Sequence, residues 1–342
     1  MYVLEKLNRY VIPRTELTYP CHQLKLHHNA AAAPVDCVMA DFEDACPYEF
    51  KGEASRETMV EALNTIDFGE KVVTIRPNNI RSKFFLGDME AIMLRAPDRF
   101  HGIILPKTNG PEDIIYLSRL LDTLEGQGGW TTHIQIEPLI ETPLGLTNAY
   151  NIATASERMA GLIFGIADFA ASLGVSEIVD DQNKNFHYAK QAVVVAAKAV
   201  GLHAIDNAYL RLVRRDTPSE EAERIYEGLR QKNVEAAALG MDGAWIIHPQ
   251  QAEIVNACYT PSDEEIDKAK RAVDTYHELG GGSIMNPETG EFDDEATIKG
   301  KLMQLAKAVQ AGKLSADHLA AQAAKSKAVT GYDILKVMRR VA

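Results

Sequence analysis

The feature that most constrains this chain is a repeated couplet, a short and nearly continuous apolar run followed by a longer segment of helical character. The runs are RYVIP at 9–13, VDCVMADFED at 35–44, KVVTIRP at 71–77, HGIILPK at 101–107 and THIQIEPLIE at 132–141. AGLIFGIAD at 160–168, GLHAIDNAY at 201–209 and DGAWIIHP at 242–249 complete the set. A strand with one wet face alternates apolar and polar residues, whereas a strand of a parallel sheet is covered on both faces and does not. Eight such runs, separated by helices, predict an α/β fold of the (β/α)₈ TIM-barrel type. The competing open, doubly wound sheet often carries a glycine-rich first turn when it binds nucleotides, and no G-x-G-x-x-G or Walker-type run is present.

Helices are expected over 51–63, 111–124, 188–200 and 219–239. The second opens with Pro111, Glu112 and Asp113, residues that helix starts prefer. The barrel is expected to close near residue 258, giving a catalytic domain of residues 1–260. Beyond it, residues 261–342 are expected to form a C-terminal helical lid or oligomerisation extension. Its parts are a helix from Ser262 to Leu279, the run Gly280–Gly281–Gly282, a hairpin or irregular loop in SIMNPETGEFDD, and helices over 295–311 and 315–341. The glycines would let this part move as a lid; the alternative is a packing appendage.

A formal charge of −12 disfavours general nucleic-acid binding, which needs a positive footprint. The spacing of Cys21, Cys37, Cys46 and Cys258 fits no zinc pattern and reads as free thiols in a reducing compartment. The first residues carry charge throughout, and no stretch reaches the ~20 apolar residues of a membrane span. A cytoplasmic protein with no membrane partner is the expectation.

In such a barrel, chemistry sits just past the C-terminal ends of the strands. Asp41, Glu43 and Asp44 fall there, and three carboxylates in four positions repel one another unless a cation or donor compensates. Arg76 and Lys107 place cations at the same rim, as salt-bridge partners or as donors to a developing enolate. Glu141 and Asp168 follow neighbouring strands. Two oxygen donors completed by water and substrate suit octahedral Mg²⁺, though any two neighbouring acids share that spacing. His248 either contacts a ligand at the rim or simply bonds backbone at the start of a turn. Asp206 and Asn207 could orient rim cations.

Several segments, in their order and spacing, resemble the citrate lyase beta-subunit family of the HpcH/HpaI aldolase superfamily. They are DFEDACP at 41–47, RPN at 76–78, LPKTNGPED at 105–113, IEPLIETPLGLTNAYNIA at 136–153 and GLIFGIADFAASLG at 161–174. GLHAIDNAY at 201–209 and GAWIIHPQQAEIVNACYTPSDEEIDKA at 243–269 continue the match. GLIFGIADFAASLG is similar to the malyl-CoA and beta-methylmalyl-CoA lyase branch.

The resemblance implies a Mg²⁺-dependent lyase, with Mn²⁺ as an alternative ion, that cleaves the C–C bond of a 3-hydroxyacyl-CoA. Products would be acetyl- or propionyl-CoA and glyoxylate or a small 2-oxo acid, with coenzyme A entering as part of the substrate. It implies Glu141 and Asp168 as metal ligands, Arg76 beside the thioester carbonyl, and Glu43 and Asp44 lining the metal pocket. It aligns Asp293, or less closely Asp294, with an acid supplied by a neighbouring subunit of a homotrimer or homohexamer. Arg14 and Lys25, as cations, could bind the phosphates of coenzyme A, and Pro249 is a further candidate contact for it. The opening, residues 8–33, departs from the family's Arg-Ser-X-Leu-Phe-X-Pro pattern. Alternatives are a citrate lyase beta subunit acting on an acyl-carrier-protein thioester, malyl-CoA thioesterase or malate synthase-like activity, an aldolase that needs no coenzyme A, and a non-catalytic scaffold.

Overall fold

The structure is a computed structural model that describes residues 13–175, 178 and 184–330. The described residues divide into two compact units meeting at Tyr259–Thr260. In the first unit, eight parallel strands close in sequence order, β1 against β8. They are β1 (Thr15–Pro20), β2 (Cys37–Asp41), β3 (Val72–Arg76), β4 (Gly102–Leu105), β5 (Gln135–Ile140), β6 (Gly161–Phe164), β7 (His203–Asp206) and β8 (Gly243–Ile246). Helices α1 (Leu24–Ala32), α2 (Glu53–Thr65), α3 (Phe85–Arg95), α4 (Pro111–Gly128), α5 (Pro143–Thr147), α6 (Ala149–Ala153), α7 (Ile166–Ser172), α8 (His187–Lys198), α9 (Ser219–Leu239) and α10 (Ala252–Cys258) connect and cover them.

Seven of the eight expected strands lie inside their apolar runs. The first does not. Residues 9–12 lie outside the described residues, and the barrel's first strand is TELTYP at 15–20. Its Glu16 and Thr18 are the reason it does not read as apolar: their side chains point to the barrel axis, where this chain buries polar groups. Asp168 is also displaced from its expected setting. Strand β6 ends at Phe164, and Asp168 occupies the first turn of α7.

The axis is filled in layers, as a closed eight-stranded barrel requires. Met39, Ile104, Leu139, Ile163 and Ile205 pack together with Trp245 as an apolar plug. Side chains alternate along a strand, so residues two positions either side of a plug residue share its inward face. Toward the C-terminal ends that register places Asp41 beyond Met39 and Glu141 beyond Leu139. Toward the N-terminal ends it places Cys37 before Met39, Glu137 before Leu139 and His203 before Ile205. The plug therefore separates a polar rim from a polar floor.

The second unit has α11 (Asp263–Glu278), the antiparallel pair β9 (Ile284–Met285) and β10 (Phe292–Asp293), α12 (Glu295–Gln310) and α13 (Ala316–Thr330). Its core is built from Ile266, Val273 and Tyr276 of α11 against Ile298, Leu302 and Leu305 of α12, with Leu319 of α13. Ser262 and Glu265 form a reciprocal cap that fixes the start of α11. The expected final helix is described as far as Thr330; the rest of 315–341 lies outside the described residues. No helix among the described residues is long and apolar enough to cross a membrane.

Candidate active site

The C-terminal rim of the barrel is organised around Arg76, the last residue of β3. Its Nε and Nη2 donate to Oδ1 and Oδ2 of Asp41 at 2.9 and 2.5 Å. The fork matches a carboxylate in plane and fixes the guanidinium. Asp41 is itself held, accepting from the backbone N–H groups of Glu43 and Ala45 at 2.7 and 2.9 Å. The remaining Arg76 nitrogen, Nη1, faces Glu43 at 3.5 Å and Asp44 at 3.8 Å. The guanidinium also lies 5.0 Å from the Trp245 ring centroid, above the plug. Burial opposes its charge, but Asp41 and Glu43 outweigh burial and raise its pKa above the ordinary arginine value.

Lys107 follows β4 and draws four acids together. Its Nζ donates to Glu43 Oε1 at 2.7 Å and pairs with Asp44 at 3.3 Å and Asp168 at 3.4 Å. Its backbone N–H donates to Glu141 Oε1 at 2.6 Å. Lys107 holds φ at 52°, in the left-handed region that a residue with a Cβ adopts only at a cost. That backbone kink is what turns its N–H toward Glu141. Thr142 anchors the next step of the chain: its hydroxyl donates to Asn109 Oδ1 at 2.6 Å and accepts from Gly145 N–H, capping α5.

Gly165, between β6 and α7, leaves the space that Glu141 uses. A Cβ there would lie 2.7 Å from Glu141 Cβ and 2.8 Å from Oε2. Glu141 is buried, and burial raises its pKa to about 8; the nearby Glu43 and Asp168 add to this while Arg76 opposes it. Burial likewise lifts Glu43 to about 6 against the pull of Arg76 and Lys107. In Asp44, by contrast, Arg76 and Lys107 outweigh desolvation and lower the pKa.

Asp41, Glu43, Asp44, Glu141 and Asp168 thus face two cations, Arg76 and Lys107. Glu43 Oε2 is buried without a hydrogen-bond partner. An oxygen-only donor set with surplus negative charge fits a hard divalent ion such as Mg²⁺. Glu16, Glu137 and His203 on the floor form a second cluster able to hold a metal ion, on the far side of the plug.

The structure thus brings Arg76, Glu43, Asp44, Glu141 and Asp168 into one site. Lys25 lies exposed in the first turn of α1 and Pro249 opens the turn after β8, so both stand on the rim side. Arg14 does not. It precedes β1, at the opposite end of the barrel, where its guanidinium is forked on Asp36 at 2.8 Å. His248 is exposed, and its Nδ1 accepts from Gln250 N–H at 3.2 Å, the turn-forming role. Asp206 is buried between Lys190 and Lys232, at 3.0 and 2.8 Å. Asp293 lies in the second unit, buried, accepting from Asn286 Nδ2 at 2.8 Å and Thr297 Oγ1 at 3.3 Å. Asp294 caps α12. Sequence reasoning offered Arg76 as a salt-bridge partner for the rim carboxylates without choosing among them; the register Asp41↔Arg76 between adjacent strand ends makes Asp41 its anchor.

A barrel with clustered carboxylates and a forked arginine on its C-terminal rim has the layout of a metal-assisted enzyme site. Residues 14–249 match the model of the HpcH/HpaI aldolase/citrate lyase family. The chain is 28% identical over 313 residues to the L-malyl-CoA/beta-methylmalyl-CoA lyase of Cereibacter sphaeroides, covering 87% of this chain and 92% of that one. It is 31% identical over 289 residues to the mitochondrial citramalyl-CoA lyase of Rattus norvegicus, covering 81% of each. Among solved structures, the citrate lyase beta subunit from M. tuberculosis, complexed with oxaloacetate and magnesium, matches at a TM-score of 0.59. Its identity is 25%, over 74% of this chain and all of that one.

The chain belongs to the HpcH/HpaI aldolase/citrate lyase family, and it is a carbon–carbon lyase.

Proposed function

We propose that the protein is a Mg²⁺-dependent lyase that cleaves a 3-hydroxyacyl-CoA of the malyl-, methylmalyl- or citramalyl-CoA type. The products are acetyl- or propionyl-CoA and glyoxylate or a small 2-oxo acid. The observation that carries this reading is the rim itself, where a buried, forked Arg76 faces a pocket of surplus carboxylates joined by Lys107. The names of the malyl-CoA and citramalyl-CoA lyases among its relatives support coenzyme A as the carrier.

Glu141 and Asp168 would hold Mg²⁺, which supplies Lewis acidity to the carboxylate and hydroxyl oxygens of the substrate. Arg76 faces the thioester carbonyl. As the C–C bond breaks, its electron pair moves into the thioester and leaves an enolate oxygen, which the guanidinium stabilises without reorienting. A rim carboxylate takes the hydroxyl proton as the carbonyl of the second product forms. Glu43, lifted toward neutrality by burial, suits that exchange. Lys107 keeps Glu43, Asp44 and Asp168 gathered, and so prevents the acids from splaying apart before substrate enters.

The enolate carbon then needs a proton. Asp293 of a neighbouring copy supplies it in this reading, within a homotrimer or homohexamer in which the C-terminal unit, 261–342, acts as lid. Closure excludes water and protects the enolate. Lys25 and Pro249 remain as contacts for coenzyme A; Arg14, committed to Asp36 at the other end of the barrel, does not. The test is the metal dependence of cleavage in Glu141→Ala and Asp168→Ala. Each should lose Mg²⁺-dependent turnover while keeping the circular dichroism of the folded barrel. Unchanged Mg²⁺ activation in both variants rejects the assignment.

A further inference from the structure

The floor of the barrel holds a second polar cluster that the proposed reaction does not use. Glu16 of β1, Glu137 of β5 and His203 of β7 converge there from three non-adjacent strands. All three are buried. One ligand atom from each lies within 4.8 Å of the others. Glu137 Oε1 and His203 Nε2 lie 2.5 Å apart. Both oxygens of Glu16 and Oε2 of Glu137 have no hydrogen-bond partner, and among the described residues no lysine or arginine pairs with either acid.

Two buried carboxylates are costly because burial removes their hydration, and the His203 contact reaches only one of their four oxygens. Burial and the neighbouring Glu137 accordingly push the Glu16 pKa well above the ordinary carboxylate value. One shared proton between the acids would satisfy a single oxygen pair and leave another Glu16 oxygen orphaned. A divalent ion cancels both charges and offers a bond to each orphaned carboxylate.

The backbone around the cluster makes room for the imidazole. A Cβ at Gly161 would lie 2.2 Å from His203 Nε2, so the ring occupies space that any other residue at 161 would fill. The site is also separate from the rim. Glu137 and Glu141 are four residues apart along the same stretch of chain, about 13 Å at the rise of a strand. Leu139 and the rest of the plug stand between them.

We propose that Glu16, Glu137 and His203 form a structural site for one divalent first-row transition-metal ion, independent of Mg²⁺ at the rim. A neutral imidazole with two carboxylates is a donor set for Zn²⁺, Mn²⁺, Fe²⁺ or Co²⁺. Mg²⁺ is disfavoured, since it takes oxygen ligands and gives up its waters reluctantly. The ion would tie three strands across the barrel floor, and its effect is on stability rather than on the reaction.

The test uses the full-length protein carrying Glu141→Gln and Asp168→Asn, so that rim binding is removed. The protein is stripped with chelator during mild reversible denaturation, refolded with Zn²⁺ or Co²⁺, and desalted. We expect one tightly held ion per chain by elemental mass spectrometry, visible absorption bands from Co²⁺, and a higher melting temperature than the metal-free form. Adding Glu16→Gln, or separately His203→Asn, should weaken binding by about 10–100-fold or more, as loss of a ligand or its support does. Glu16→Gln keeps shape and removes one charge, so it stays informative if the histidine variant does not fold. Absence of stoichiometric Zn²⁺ and Co²⁺ in the refolded rim variant overturns the proposal. So does binding unchanged by Glu16→Gln. Stability that depends on pH but not on added metal assigns the floor to proton sharing instead, and equally overturns it.

Discussion

Asp41→Asn is the sharpest perturbation of the rim, because it changes one atom's chemistry and almost no volume. Asp41 gives each oxygen two tasks: Oδ1 accepts from Arg76 Nε and Glu43 N–H, Oδ2 from Arg76 Nη2 and Ala45 N–H. An asparagine keeps one acceptor oxygen and turns an NH₂ toward two donors. Breaking one side of a buried ion pair costs about 3–5 kcal/mol. Glu43, 3.5 Å from Nη1, retains part of the compensation, so about 3 kcal/mol is expected. That is a large share of the ~5–15 kcal/mol that holds a typical domain together, yet it leaves a folded protein. Released from its fork, the guanidinium turns toward Glu43 and Asp44. A donor displaced by about 1 Å from a developing charge costs roughly 100-fold in turnover. Urea unfolding and steady-state lyase kinetics on the same preparation read both effects. A variant within about 0.5 kcal/mol of wild type and within about twofold in kcat would refute the view that Asp41 aims Arg76.

Gly165→Ala should leave the barrel folded but displace Glu141, lowering Mg²⁺ affinity by roughly 10–100-fold in a titration followed by calorimetry. Burial, reinforced by Lys190 and opposed by Asp206, lowers Lys232 to about 8 from 10.5. Between those values the unfolded chain binds more protons than the folded one, so this group's contribution to stability rises with pH. Wild type should therefore gain roughly 2 kcal/mol relative to Lys232→Met between pH 7.5 and 9.5 in urea unfolding, with a constant difference contradicting the shift. Asp293→Ala and Arg76→Ala proteins, each inactive, should recover a fraction of activity after subunit exchange confirmed by native mass spectrometry. Exchanged hybrids that stay inactive reject the lid supplied in trans.

Seven strands were legible because their two-sided burial makes them apolar from end to end. β1 was not, since Glu16 and Thr18 face the axis and break the pattern, and RYVIP just before it offers a more apolar decoy. Glu43, Asp44, Arg76 and Glu141 were legible as rim residues because each directly follows, or ends, such a strand. Asp168 was legible as an acid near a strand end, but not as a residue of a helix's first turn, because IADFAAS continues the apolar run without punctuation. The fork between Asp41 and Arg76 depends on the register of β2 and β3, and nothing local distinguishes Asp41 from the acids that follow it. The floor cluster was illegible for a stronger reason: its contacts join positions 16, 137 and 203 across a closed barrel, and no spacing along the chain encodes them. Arg14 shows the converse: its charge suggested a phosphate contact, while its place before β1 commits it to Asp36.

The central claim is that this rim breaks a C–C bond by leaving an enolate on a thioester. The most direct measurement is cleavage by the purified protein with Mg²⁺ of malyl-CoA, methylmalyl-CoA and citramalyl-CoA, beside free malate and citramalate, with products identified by mass. Departure of a carboxylate-bearing carbanion is far harder than departure of a thioester enolate, and Arg76 is placed for the latter. The account predicts release of acetyl- or propionyl-CoA with glyoxylate or a 2-oxo acid from at least one thioester, abolished by chelator, and no measurable cleavage of the free acids. Equal rates on malate and malyl-CoA, or thioester cleavage that persists after Mg²⁺ is removed, would contradict it.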